Sequence, residues 1–184
     1  NREQITRVAV GNINLPVSND HPIPPFSPYY MAQEPSKQNI EEAKKLLADA
    51  GYKDGMDIEM MSYTGRAGLV QGALAFQDMA KRANVRISVN TVPADIFLSK
   101  YWLKHNFFNT NWNGRTSLYE MLALAYLSDA KWNESGWKSK DMDDMIETVR
   151  REQDFEKRKA NFAAIQKKFL DELPVIIPYH RPSV

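Results

Sequence analysis

The sequence predicts an α/β fold, a mixed α+β lobe in which a small mixed sheet carries packed helices. Segments with apolar residues three or four positions apart alternate along the chain with short segments of strand-like pattern. This alternation is typical of a sheet covered by helices. The 184 residues, 43% of them hydrophobic and 26% charged, suffice for a buried core and exclude a disordered chain.

The N-terminal part predicts a short helix followed by an irregular loop. Residues 2–9 form the helical segment, which runs into Gly11. Six of the ten prolines fall within residues 16–35. Because proline fixes φ and has no amide donor, we expect an ordered loop there, neither helix nor central strand.

A second helix is predicted after this loop. Asn39 followed by Glu42 is typical of a capping box at a helix start. Leu47 belongs to its apolar face, which we expect to lie in the core, and Gly51 ends the helix.

The central region predicts two strands separated by a helix. Residues 57–63 form the first strand, and residues 65–68 form a turn that leads into an amphipathic helix containing Phe76. Residues 85–89 alternate apolar and polar side chains, which indicates a half-buried second strand. Residues 107–112 are a candidate third strand.

The remaining helices are predicted from their capping residues. Asp95, Ser117, Asp141 and Asp154 each precede an amphipathic segment and are expected to cap it. The last of these helices is closed by a proline, and residues 175–177 (VII) predict a buried strand. We predict a single lobe over residues 1–184, and the chain ends suggest a piece of something longer.

Composition and charge exclude several classes of function. The net charge is +1, with basic and acidic residues balanced in both halves, which argues against nucleic acid as a partner. The absence of cysteine excludes disulfides, thiolate metal sites and a cysteine nucleophile. No apolar run approaches the roughly 20 residues that cross a bilayer, so the chain is not expected to be transmembrane.

No catalytic, metal or cofactor motif is present, so we expect no enzyme activity, no metal and no cofactor. His21, His105 and His180 are far apart in sequence and form no metal-ligand spacing. Asp141 with its acidic neighbours resembles the start of a calcium loop, but the required glycine is replaced by Ile146.

Aromatic residues on loops are better candidates for function. Trp112 ends the third predicted strand, and Trp132 and Trp137 flank a polar loop that contains Asn133. Aromatic side chains near polar groups suit ligand stacking, and the alternative is that they cover the edge of the core.

An ordered set of motifs resembles the peptide, nickel and opine class of ABC-importer solute-binding proteins, that is, family 5 of the bacterial extracellular solute-binding proteins. Residues 42–52 (EAKKLLADAGY) fit the family pattern A-K-x-L-L-x-x-A-G-Y very closely. The other matching positions are residues 1–5 (NREQI), residues 22–29 (PIPPFSPY), Asp54, Gly55, Trp112, Asn133, Asp143, Arg158 and Pro174. Together they span nearly the whole chain.

The resemblance implies the C-terminal lobe, often called domain III, of a two-lobe protein with a type II periplasmic-binding fold. It implies a small-molecule or peptide ligand, a first lobe of the same protein outside this sequence, and an ABC permease as partner. It also implies a location in the periplasm, or outside the cell tethered to the membrane.

One departure from the family pattern suggests the ligand class. In the peptide-binding members of the family that this sequence resembles, the corresponding strand ends in W-x-x-D, and the aspartate pairs with the peptide α-ammonium. Residues 112–115 of this sequence read Trp-Asn-Gly-Arg instead. An arginine would repel an ammonium but matches a carboxylate or phosphate. We therefore expect an anionic or carbonyl-rich group, or a ligand without a free α-amine, such as an opine, a blocked or acidic peptide, or a modified sugar. The predicted ligand contacts are Trp112, Asn113, Gly114, Arg115, Trp132, Asn133 and Trp137.

Two other interpretations stay open. In one, Arg115 points away from the ligand or forms an internal ion pair. In the other, the chain is a stand-alone protein-interaction or sensor domain that reuses the same lobe.

Overall fold

The computed structural model describes residues 1–11 and 15–181. The chain divides into two compact units. The first contains Asn1–Asn14 and Ser36–Trp112, and the second contains Leu15–Pro35 and Asn113–Val184. The mixed α/β class predicted from the sequence is confirmed, whereas the assignment of residues 1–184 to one lobe of a larger protein stays a prediction.

The first unit contains the sheet and four of the helices of the described chain. Its elements in order are α1 (Arg2–Val10), α2 (Ile40–Asp49), β1 (Met56–Tyr63), α3 (Leu69–Lys81), β2 (Val85–Val92) and α4 (Ala94–Ile96), which continues into a π-helical turn (Phe97–Tyr101). The helix predicted at residues 2–9 is confirmed as α1. The predicted strands at 57–63 and 85–89 are confirmed as β1 and β2.

The two strands pair in parallel, with Met56 opposite Val85 and Tyr63 opposite Val92. A parallel pair needs a crossover connection, which α3 provides. On one face of the sheet, Met60 and Ile87 pack with Ala73 of α3 in a buried cluster. This cluster fixes the helix against the strands. Because the strands are parallel and in register, both end at the same edge of the unit.

A second apolar cluster lies at the carboxyl end of β1. Met61 and Tyr63 pack there with Leu69 and with Phe97 of the π-helical turn. The rings of Tyr63 and Phe97 stack, with their centroids 4.6 Å apart. Because strand, helix start and π-helical turn share this cluster, the geometry of the strand end is rigidly supported.

The second unit is helical. It contains α5 (Leu118–Ala125), α6 (Lys140–Arg151) and α7 (Phe155–Glu172). The amphipathic faces of these helices meet in a core of fully buried side chains, namely Leu122, Met142, Ile146, Val149, Phe162, Ile165 and Phe169.

The proline-rich segment packs on α7 as an ordered loop, as predicted. Buried Gln166 of α7 donates from Nε2 to the Tyr29 carbonyl oxygen at 2.9 Å, and its Oε1 accepts from the Met31 amide at 2.9 Å. The Tyr29 ring lies 4.7 Å from the ring of Phe162. One glutamine therefore satisfies backbone groups that a segment without helix or strand pairing leaves unpaired.

Two predicted strands are absent as strands. Residues 107–112 form a single parallel bridge, between Phe108 and Met61. Residues 175–177 form no strand, and Ile176 is 58% exposed. The amide of Ile177 donates to the side chain of Asp20 rather than to another strand. The nearest backbone pairing is an antiparallel bridge between Val17 and Tyr179.

The side-chain contacts correct two of the predicted helix caps and confirm a third. The cap of α6 is Ser139, whose hydroxyl accepts from the Met142 amide, rather than Asp141. Asp95 lies inside the first turn of α4 and caps nothing. Asp154 does cap α7, as predicted.

The helix α2 also differs from its prediction in burial. Its cap at Asn39 and its end at Gly51 are as predicted. None of its residues is buried, however, and Leu46 is 59% exposed, so Leu47 is not a core residue. The other helices of the first unit pack mainly on the sheet and on one another, which leaves the apolar side of α2 outside both clusters.

Candidate functional site

The segment that follows the π-helical turn lies beside the carboxyl end of β1. The amide of Met61 donates to the Phe107 carbonyl oxygen at 3.0 Å, and the amide of Asn109 donates to the Met61 carbonyl oxygen at 3.1 Å. Consecutive residues of an extended chain point their backbone groups to opposite sides. The amide and carbonyl of Phe108 therefore point away from β1, toward the outer edge of this segment.

Side chains fix the same segment. The Asn109 side chain donates to the Leu69 carbonyl oxygen at 2.9 Å, at the start of α3. Tyr63 donates its hydroxyl to the side-chain oxygen of Asn111 at 3.0 Å. These bonds hold residues 107–111 extended beside the end of β1.

The predicted contacts at 112–115 fall on both sides of a boundary between the compact units. Trp112 is the last residue of the first unit and is half-buried. Asn113 and Gly114 are exposed and begin the second unit, together with half-buried Arg115. The Arg115 guanidinium donates from Nη1 to the Asn113 carbonyl oxygen at 3.3 Å.

The loop between α5 and α6 is held by Asn133. Its Nδ2 donates to the Leu127 carbonyl oxygen at 3.2 Å and to the Trp137 carbonyl oxygen at 2.7 Å. Its Oδ1 accepts from the Ser135 hydroxyl at 2.9 Å. Both ends of the amide are thus engaged within the loop, which gives Asn133 a structural role there.

The two tryptophans of this loop have different surroundings. Trp137 is half-buried: its ring lies 5.6 Å from that of Phe169, and its indole N–H donates to Glu172 at 2.8 Å. This matches the alternative in which the aromatic ring covers the core edge. Trp132 is 39% exposed.

A surface cavity of about 360 Å³ lies where β1 ends and α3 begins, and it was not predicted from the sequence. It is lined by Thr64, Gly65, Arg66, Ala67, Val70 and Gln71. The sequence signal was the pair of glycines that brackets Arg66 and Ala67, which indicated a turn and no more. Both Gly65 and Gly68 have positive φ, at 93° and 82°.

Two of the three histidines come together in the second unit. His21 is fully buried, and neither of its ring nitrogens has a hydrogen-bond partner. The Ser18 hydroxyl lies 3.0 Å from Nε2 of His180 and 3.5 Å from the His21 carbonyl oxygen. Burial lowers the pKa of each imidazole to about 4, so both rings are neutral at neutral pH.

Neither a metal centre nor a membrane span is found in the described part of the chain. No group of three or more His, Asp or Glu side chains within residues 1–11 and 15–181 is arranged to hold a metal ion. Among the same residues, no helix combines the length and the apolar character that a bilayer crossing requires.

Comparison with known proteins identifies a family. Residues 1–135 match the family model described as bacterial extracellular solute-binding proteins, family 5, middle region. A nickel-binding protein NikA from Staphylococcus aureus is 31% identical over 137 residues, which cover 71% of this chain and 28% of that protein. The chain therefore spans well under half of the length of this relative.

Solved structures share the fold. The structure of Staphylococcus aureus NikA in complex with Ni(L-His)2 superposes with a TM-score of 0.81 at 24% identity, over 95% of this chain and 38% of that chain. The Helicobacter pylori DppA structure in complex with the peptide STSA gives 0.84 at 19% identity, over 95% and 35%. AgaA of Agrobacterium tumefaciens R10, in complex with agropinic acid, gives 0.84 at 18% identity, over 98% and 38%.

Proposed function

The chain belongs to family 5 of the bacterial extracellular solute-binding proteins, and we propose that it forms the ligand-binding C-terminal lobe of such a protein. The relatives are named or solved as binders of nickel, Ni(L-His)2, the peptide STSA and agropinic acid. Membership of a family of transport-associated binding proteins supports a role in binding rather than catalysis.

The observation that carries the proposal is the geometry of residues 107–112. One side of this segment bonds to β1, so the backbone groups of Phe108 on the other side are directed away from the sheet. An extended ligand binds such an edge through main-chain hydrogen bonds, and neighbouring side chains then select among ligands. Trp112 ends the segment and is the first side chain we place against the ligand.

Arg115 sets the ligand class in this proposal. Its guanidinium is permanently charged and presents a planar set of donors that fits a carboxylate or a phosphate. Its bond to the Asn113 carbonyl oxygen holds the side chain close to its own segment. We place an anionic or carbonyl-rich group of the ligand on Arg115, with Asn113 and Gly114 as further contacts.

The loop between α5 and α6 contributes one contact and two supports. Trp132 is the ligand contact that we propose there, because the residue is 39% exposed. The Asn133 side chain donates to the Trp137 carbonyl oxygen, and the Trp137 indole N–H donates to Glu172 of α7. We therefore propose that both side chains hold the loop in shape.

The partners follow from the same proposal. A first lobe of the same protein would complete the ligand site, and closure of two lobes around a solute is a known mode of periplasmic binding proteins. An ABC permease would receive the ligand. The location we propose is the periplasm, or the outer side of the cell membrane with a tether.

The proposal is tested on the complete gene product by titration calorimetry. The panel contains an opine, an acidic peptide, an N-blocked peptide, a modified sugar, Ni²⁺ with L-histidine, and an unblocked peptide. We expect the tightest ligand to carry an anionic group, and Arg115→Gln to weaken its binding by about tenfold or more through loss of a charge-assisted bond.

Arg151→Gln is the matched control. Its side chain is 73% exposed near the end of α6 and pairs with Glu147 in the same helix, so its loss is expected to leave affinity unchanged. Equal affinity of Arg115→Gln and the unmodified protein for the tightest ligand would contradict the role of Arg115. Failure of every panel member to bind would contradict the ligand classes proposed.

A further inference from the structure

We infer that Asn113 is a site of spontaneous deamidation, at which an acidic group is generated inside the candidate ligand segment. Asn113-Gly114 is the single Asn-Gly pair in the sequence. Both residues are exposed, and the segment 109–115 belongs to no helix or strand. The modification needs no enzyme and no cofactor, only water.

The reaction begins with attack by the Gly114 amide nitrogen on the side-chain carbon Cγ of Asn113. The amide proton passes to water or hydroxide, the Cγ–Nδ2 bond breaks and ammonia leaves, which closes a five-membered succinimide. Water then adds to either ring carbonyl and opens the ring to aspartate or to β-linked isoaspartate. The balance is one water consumed and one ammonia released, with no oxidation or reduction.

Glycine at the following position favours this attack. Gly114 has no Cβ, so the backbone can reach the conformation that brings its nitrogen to Cγ without steric cost. Residues 113–115 belong to no helix or strand, so this freedom is retained at Asn113 in the folded chain.

The structure adds a group that assists the first step. The Arg115 guanidinium donates to the Asn113 carbonyl oxygen, which belongs to the same peptide unit as the Gly114 nitrogen. A guanidinium hydrogen-bonded to that oxygen withdraws electron density from the peptide group and makes its N–H more acidic. Arginine keeps its positive charge at every relevant pH. The nucleophile therefore forms more readily in the folded chain than the sequence pair alone implies.

The consequence for binding rests on the proposed function. Deamidation places a carboxylate two residues from Arg115, where it competes with an anionic ligand for the guanidinium. The isoaspartate form also lengthens the backbone by one carbon and shifts the following residues. The modified protein is then expected to bind anionic ligands more weakly than the original.

The experiment follows deamidation of the 184-residue chain, without ligand, by peptide mass spectrometry with fragmentation that distinguishes isoaspartate. Asn109 and Asn111 lie on the same segment and are followed by Thr110 and Trp112; because their side chains are hydrogen-bonded in the folded chain, they serve as internal controls in urea, where these bonds are lost. We expect Asn113 to react at least about tenfold faster than either, and Gly114→Ala to remove most of this difference, because Cβ restricts the backbone.

The role of Arg115 has its own comparison. Arg115→Gln should slow the reaction about threefold in the folded chain, through loss of a charge-assisted bond, and have no effect in urea. Rates at Asn113 equal to those at Asn109 and Asn111 would overturn the site. An equal effect of Arg115→Gln in folded and unfolded chains would overturn the assistance by structure. Because no ligand is present, either result is independent of the outcome of the binding panel.

Discussion

His21 is a polar side chain placed where water cannot reach it. It lies beside Tyr30, with ring centroids 5.7 Å apart, and neither ring nitrogen has a partner. Burial lowers its pKa from 6.5 to about 4, although the neighbouring Asp20 carboxylate acts in the opposite direction. His180, which the Ser18 hydroxyl contacts, has its pKa lowered to about 4 by burial and then by the nearby His21.

The sign of the pH dependence follows from these pKa values. Between about pH 6.5 and 4 the unfolded chain binds protons at both positions that the folded chain does not, so the free energy of unfolding falls as the pH falls. For His21 alone the loss is on the order of 2 to 3 kcal/mol across this window. Urea unfolding at several pH values should show a flatter dependence in His21→Phe than in the unmodified chain. Identical slopes in the two chains would contradict the prediction.

At the scale of elements, the start of α3 depends on a close approach to α1. Gly68 has a φ of 82°, and a Cβ added there would lie against the backbone carbonyl of Ala9. Gly65 has a similar φ of 93° but open space around it. The two glycines therefore separate the cost of a positive φ from the cost of a backbone clash.

Replacing each glycine by alanine measures both costs. Gly65→Ala should lose about 1 kcal/mol of unfolding free energy, because alanine is strained at positive φ. Gly68→Ala should lose at least about 2 kcal/mol more, because α1 or α3 must move to relieve the clash. Urea unfolding of the two variants provides the comparison, and equal losses would show that the approach of α1 is not required.

Local sequence signals predicted most helix ends correctly. Asn39, Ser117 and Asp154 each accept a hydrogen bond from the amide three residues later, as their sequence context indicated. Such caps involve residues close in sequence, so they can be recognised without knowledge of the fold. The cap of α6 was misplaced by two residues because Ser139 and Asp141 are both good capping residues.

Predictions that depend on distant partners were less successful. An apolar run such as residues 175–177 becomes a strand only if another strand pairs with it, and in the described chain Asp20 takes the amide of Ile177 instead. In the candidate site, Asn133 stays a predicted ligand contact, and only the fold reveals that its side-chain amide also bonds to Leu127 and Trp137.

At the scale of the whole molecule, the family could be predicted because its signal is an ordered set of positions spread along the chain. The family model matches residues 1–135, in agreement with the resemblance at residues 42–52. The ligand could not be predicted in the same way, because the chain covers only 35% to 38% of the solved structures with bound ligands, and in the two-lobe proposal the site needs both lobes. A binding site that two lobes share exposes only part of its contacts on either one.

This leads to a prediction about affinity. If ligand binding requires closure of two lobes, the 184-residue chain alone makes only a fraction of the contacts and does not exclude water from the charge of Arg115. Calorimetry with the tightest ligand of the panel should give an affinity at least about 100-fold weaker for this chain than for the complete gene product. Circular dichroism of both proteins is the control, because a helical spectrum for the short chain separates weak binding from failure to fold. Equal affinities in two folded proteins would contradict the two-lobe proposal and would place the whole ligand site on this chain, whereas a large difference would assign the missing contacts to the remainder of the protein.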